Sequence, residues 1–249
     1  MFLPIFQKFL PSIPVNSKKP NSLAFAYVFV LIFSVPSAIH ANKVNEDSEQ
    51  IVFVIPSSDK SQARLKMYEV SEGFWRQVGE TQKIAVGSLG IIPRDSKQEG
   101  DGGTPAGTYP LQRAFGYSQM KQIKIRYKKF GKKDIWVDDP HSKYYNQYLP
   151  GKKGKIKGKS VFSNPEIYGL FLVIEYNTIN PISGKGSMIF IHAWSDLKKP
   201  TYGCLGLKKK DLLSIVNWLD PKKNPQLIIL KDPIYEYELE STSVKHKDS

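Results

Sequence analysis

The sequence predicts a mostly-β domain with one or two short helices. Three observations carry that expectation. Short runs rich in β-branched and aromatic residues recur at close spacing, and Gly, Pro, Ser and Asp fill the gaps between them. Nothing resembles the regular alternation of strand and long helix that builds parallel βαβ units. One segment only, near the C-terminus, has the apolar spacing of an amphipathic helix.

The elements follow in chain order. Ile51–Ile55 is an apolar β-rich run that Pro56 ends. Lys66–Val70 alternates, Glu72-Gly73 turns, and Phe74–Val78 returns as the second arm of a hairpin. Lys83–Gly87 reads as a further short strand. Residues 93–110, with Gly100, Gly102, Gly103, Pro105, Gly107 and Pro110, read as a long loop; loops of that length are usually functional or disordered. Leu170–Tyr176 and Ser187–His192 are apolar strands, the second ending at a histidine. Leu212, Leu213, Ile215, Val216 and Leu219 fit one helix face, and Pro221 lies just past its end. Gln226–Leu230 is the last strand.

The N-terminus reads as a secretory signal over residues 1–41. Lys8, Lys18 and Lys19 precede the apolar run Leu23–Phe33, Pro36 breaks it, and Ala38-Ile39-His40-Ala41 offers small residues before Asn42. The competing reading is an uncleaved anchor, but the run falls short of the roughly 20 residues a spanning helix needs. With the signal removed no stable membrane span is expected. Residues 42–50 read as a flexible leader, 51–235 as one catalytic-sized domain, and 236–249 as a charged tail. The formal net charge is +13 over 249 residues, and the excess favours anionic surroundings. Export argues against nucleic acid as the partner.

Much of that charge sits in residues 121–159, where twelve lysines and Arg126 are interleaved with Tyr127, Phe130, Trp136, Tyr144, Tyr145 and Tyr148. A solvated basic face is one reading. The other is an excursion over a site, in contact with an anionic wall polymer.

The chemistry centres on Cys204, the only cysteine. A lone thiol in an exported chain has no intramolecular disulfide partner. It is either a buried structural thiol or a nucleophile, and a nucleophile needs a base nearby. His192, twelve residues earlier at a strand end, is the natural base. Gly203 lets the backbone approach a substrate, and the Tyr202 and Cys204 N–H groups would serve as oxyanion donors. No metal set and no cofactor motif emerge; Asp138-Asp139-Pro140-His141 is better read as a turn held by Asx hydrogen bonds than as a cation site.

Ile191-His192-Ala193-Trp194 followed by Thr201-Tyr202-Gly203-Cys204-Leu205 resembles the L,D-transpeptidase catalytic domain, the YkuD-like family. Asp101–Tyr109 is similar to that family's Thr-Pro-x-Gly-Thr-Phe/Tyr segment. Val137–Pro140 with Tyr144-Tyr145-Asn146, Glu175-Tyr176-Asn177 and Asp211–Pro221 resemble one branch of it. The resemblance spans about residues 51–231. It implies a β-sandwich with a mixed sheet and a small helix. It also implies an exported, periplasmic or wall-facing enzyme acting on peptidoglycan stem peptides. In that scheme Cys204 is the nucleophile and His192 the base, with the Ala193 carbonyl orienting the imidazole. Gly203 and Tyr202 shape the oxyanion hole, and Thr201, Thr104, Gly107 and Trp194 line the substrate site. A thioester forms, D-alanine leaves and an amine acceptor is cross-linked. With water as acceptor the same pair makes an L,D-carboxypeptidase or amidase; a silent wall-binding module is the reading from another class. The chain departs from the family pattern at Tyr202, where histidine is common, and at Gly206, where Arg or Asn is common. Arg126, Lys198, Lys199 and Lys208 are the candidates to replace that lost cation.

Overall fold

The computed structural model describes residues 44–45, 47–160 and 164–233. The segment read as a signal, 1–41, residues 42, 43 and 46 of the polar run that follows, and the tail from 236, including His246, lie outside them. Among the described residues no helix is long and apolar enough to cross a membrane.

A large, curled mixed sheet dominates the chain. It begins with β1 (Gln50–Pro56), which pairs antiparallel with β2 (Gln62–Ser71); β2 pairs in turn with β3 (Phe74–Ala85). Ser48, just before β1, and Gln50, its first residue, are buried: the Gln50 amide donates to Glu69 and to the Trp218 carbonyl, tying the strand's entry to the helix end. The strand expected at Lys83–Gly87 is not separate. It is the far end of β3, which runs for 12 residues past an irregularity between Leu65 and Met67 of its partner.

The segment expected as an unstructured loop also holds short elements. β4 (Ile91–Ile92) pairs with β5 (Thr104–Pro105), and β6 (Gly107–Pro110) joins the main sheet. Pairs of two residues leave no periodicity to read. The Lys-rich stretch contributes β8 (Arg126–Lys129), which pairs parallel with β7 (Arg113–Gly116) and forms one edge of the sheet. β9 (Ile135–Trp136) and β10 (Tyr148–Leu149) make a small ribbon of their own. All thirteen cations of residues 121–159 are exposed. Asp138 and Asp139 each meet a lysine, Lys159 and Lys157, and Asp139 also accepts the His141 N–H in an Asx turn.

The centre of the sheet is built by β11 (Leu170–Val173), β12 (Phe190–Ala193) and β13 (Leu205–Leu207), with β14 (Gln226–Ile229) pairing parallel to β1. A single-turn helix, α1 (Pro165–Tyr168), precedes β11; Asn164 caps it by accepting the Ile167 N–H. The second helix, α2 (Lys209–Trp218), buries Leu212, Ile215 and Val216 against the aliphatic core, as its sequence spacing predicts. Both faces of β12 and β13 are covered. Ile191, Ala193, Leu205 and Leu207 face the aliphatic core, whereas Phe190 and Cys204 join an aromatic cluster of Phe115, Phe130, Trp136 and Phe171.

Candidate active site

The site is set by register. β12 and β13 run parallel with Ile191 beside Leu205 and His192 beside Gly206. Side chains alternate along a strand, so Phe190, His192 and Trp194 share a face. The same rule puts Cys204, one residue before β13, on the face of Gly206. Cys204 and His192 therefore share one face of adjacent strands, diagonally offset. Among the described residues their hydrogen bonds do not join them. The thiol donates to the Met188 carbonyl at 3.3 Å, and His192 Nδ1 lies 2.9 Å from the Ala193 carbonyl. A carbonyl only accepts, so Nδ1 carries the proton and Nε2 keeps the basic lone pair.

Burial governs the electrostatics. Cys204 is 7% exposed and His192 2%. Burial pushes the imidazole down to about 4, although the bond to Ala193 works the other way. Burial pushes the thiol up to about 11, opposed by the Phe190 backbone and the positive charge of Lys97. Both groups are therefore neutral near pH 7: a thiol and a free base, not a preformed ion pair.

The loop before the sulfur is held by two threonines. Thr201 Oγ1 donates to the Cys204 carbonyl at 2.6 Å and accepts the Gly203 N–H at 3.3 Å. Thr104 Oγ1 donates to the Gly203 carbonyl at 3.0 Å and accepts the Gly87 N–H at 2.9 Å. Gly203 sits at φ +114°, and a Cβ there would lie 2.7 Å from the Gly103 carbonyl oxygen, so only glycine fits. Its N–H is occupied by Thr201. Tyr202 is 90% exposed and projects from the loop beside the buried sulfur.

Trp194 answers the departure at Gly206. A Cβ on residue 206 would come within 2.8 Å of Trp194 Cβ, so the tryptophan occupies the ground where the family's Arg or Asn side chain would stand. The indole N–H donates to the Lys199 carbonyl at 2.9 Å, and the ring packs edge-on to His192. Beside it lies a groove of about 360 Å³ lined by Asn164, Glu166, Trp194, Asp196, Lys199 and Lys209, among others. Of the cations considered as replacements, only Lys199 reaches it, joined by Lys209, which the sequence reading did not consider. Arg126 is on the edge strand, bonded to Gln112. Gly107 opens β6, where a Cβ would lie 2.9 Å from the Tyr109 hydroxyl.

Three further residues border the site without a site role expected from the sequence. Tyr168, at the end of α1, packs edge-on to His192 at 5.4 Å, and burial holds its phenol neutral far above the usual range. Asn146, at φ +55°, accepts from the Trp136 indole and the Met188 N–H, fixing the segment whose carbonyl accepts the thiol's hydrogen bond. Lys97 is buried, its stem along Gly186, two residues before Met188. Asn164-Pro165 is a helix-start pattern ahead of α1, but nothing local marks which tyrosine meets the imidazole.

No curated protein matches the chain in sequence. Solved structures that resemble it include the following. The helical cell shape determining protein Pgp2 from Campylobacter jejuni is 21% identical, with 77% of this chain and 51% of that one covered at a TM-score of 0.43. Bd1075 from Bdellovibrio bacteriovorus is 15% identical, with 80% and 55% covered at 0.42. The chain thus spans about half the length of each. The family model of the L,D-transpeptidase catalytic domain, YkuD, matches residues 54–234, most of the chain. On that match, this protein belongs to the L,D-transpeptidase catalytic domain family.

Proposed function

We propose that the chain is a cysteine acyltransferase acting on peptidoglycan stem peptides through a thioester on Cys204. The observation that carries this reading is the shared face. His192, with Nδ1 tied to Ala193 and Nε2 basic, and a thiol on the adjacent parallel strand are the parts a Cys–His nucleophile needs. The backbone carbonyl takes the place of the third triad member.

Because both groups start neutral, the proton moves as substrate binds. The thiol proton passes to His192 Nε2 while sulfur adds to the scissile carbonyl. The resulting oxyanion is met by backbone N–H groups of Tyr202 and Cys204, Gly203 contributing the close approach rather than its own bonded N–H. The C–N bond then breaks, and the imidazolium returns its proton to the departing amine, D-alanine in the transpeptidase reading. An amine or water next attacks the thioester, gives its proton to His192, and frees the thiol. Thr104 and Thr201 hold the loop in place; Trp194, Lys199 and Lys209 line the ground beside the base.

Export to a wall-facing compartment, periplasmic where the cell has one, is part of the proposal and rests on residues 1–41. So is contact between the exposed lysines of 121–159 and an anionic wall polymer.

The test is intact-mass spectrometry of the protein with a carbapenem, beside Cys204→Ser. An adduct on the wild type alone is expected, and a folded, reduced wild type that stays unmodified overturns the reading. Digestion of purified muropeptides then separates the acceptors: dimers mean an amine, shortened monomers mean water.

A further inference from the structure

Lys97 is 2% exposed, the least exposed charged side chain among the described residues. An ammonium removed from water costs several kcal/mol unless a counter-charge and hydrogen bonds replace its hydration. Nζ donates to Asp101 Oδ1 at 2.5 Å and to the Gln98 carbonyl at 2.7 Å. Asp101 also accepts the Gln98 and Gly103 N–H groups, each at 2.8 Å. Against the burial that raises it, these bonds hold the Asp101 carboxyl below its usual range.

The pair touches both backbone segments around the sulfur. On one side, Asp101 fixes Gly103, whose carbonyl abuts Gly203, the residue before Cys204. On the other, the Lys97 stem lies along Gly186, where a Cβ would meet its Cε and Cγ at 3.2 Å. Gly186 is two residues before Met188, whose carbonyl accepts the thiol's hydrogen bond.

We infer that Lys97 and Asp101 are positioning residues for the proposed acyl-transfer site: Asp101 sets the Gly103–Gly203 contact behind Cys204, and Lys97 supplies the buried positive charge that favours the thiolate. The inference rests on the functional reading above for its purpose, but not for its measurement. The Lys97 charge already opposes the burial of the Cys204 thiol, and a fixed cation at this depth is screened far less than a surface lysine.

The experiment is the pH dependence of Cys204 alkylation by iodoacetamide across the neutral to alkaline range, with a thermal melt for each protein. Lys97→Met and the double variant Lys97→Met/Asp101→Asn should move the midpoint up by about half a unit to one unit, slowing alkylation at fixed pH about three- to tenfold. Asp101→Asn alone keeps the cation and removes its counter-charge, so its midpoint should move down. Opposite signs cannot come from loosened packing, which would move all three the same way. Folded variants with the wild-type midpoint, or shifts of one sign throughout, overturn the inference. Should Lys97→Met fail to fold, the double variant and Asp101→Asn carry the test. Carbapenem acylation run on the same samples separates the two readings: a wild type that is not acylated sinks the proposed function, while the midpoints still judge the charge coupling.

Discussion

The two faces of β12 and β13, with Cys204 just before β13, draw on alternate residues of the same strands and do different work. One presents Ile191, Ala193, Leu205 and Leu207 to the aliphatic core under α2. The other presents Phe190, His192 and Cys204 to flat rings: Trp136 edge-on to Phe190 at 4.8 Å, Phe171 tilted on it at 4.7 Å, Tyr168 edge-on to the imidazole. Aliphatic side chains fill volume and tolerate exchange at constant size. Rings have fixed planes and few rotamers, so the aromatic face fixes where a polar group can lie and keeps water away from it. A strand buried on both sides can thus divide its alternate residues between stability and chemistry.

Substitutions that act on one face alone test this division, and the largest effect falls on the aromatic side. Cys204→Ser should remove carbapenem acylation completely while leaving the melting temperature near that of the wild type, because the change alters little volume. A large loss of stability would mean that the thiol is a packing group. Ile191→Ala should do the reverse. It should lower stability by about 2–5 kcal/mol in urea unfolding, yet the alkylation rate of the folded protein should hold; a rate that falls in step would show the faces to be coupled.

Acid gives the next effect in size. The His192 imidazole titrates at about 4 in the folded chain and near 6.5 when unfolded. Between those values the unfolded state binds a proton that the folded state refuses, so stability falls as pH drops through that window, by about 3 kcal/mol in all. His192→Gln should flatten this part of the pH–stability curve; an unchanged slope would assign it to other groups. At the alkaline end the sign reverses. The Cys204 thiol titrates at about 11 folded and lower when unfolded, so stability is lost as pH rises past the unfolded value.

The smallest effect comes from the loop. Thr104→Val would leave the Gly203 carbonyl and the Gly87 N–H without their shared hydroxyl, costing about 1–3 kcal/mol. It should also slow acylation more than Thr108→Val does, since Thr108 Oγ1 is buried without a partner. Equal effects would remove Thr104 from the site.

Much of this was legible in the sequence where periodicity or spacing was local. β1, the β2–β3 hairpin, α2 and β14 follow from alternation, a turn dipeptide and a helical face. The Gly203-Cys204 pair and His192 stood out through residue type, and the family's motifs supplied their order. Register was not legible: that β12 and β13 run parallel, setting His192 beside Gly206, is a tertiary outcome. Lys97 was hidden because lysine is almost always a surface residue, and only a fold that delivers Asp101 four residues later makes its burial tolerable. Trp194 in the space over Gly206 was invisible for the same reason: the two are twelve residues apart and meet across strands.

The edge at β8 has a consequence for how these molecules meet one another. An unpaired strand edge invites a second strand, and two copies offering the same edge would extend the sheet. Here Arg126, Lys128 and Lys129 are exposed along that edge, with more cations in the turn that follows. A second copy would bring an identical row of positive charge, so the edge repels its own kind. The repulsion is screened as salt rises, so the same protein should be monodisperse in dilute buffer and most prone to self-association in concentrated salt.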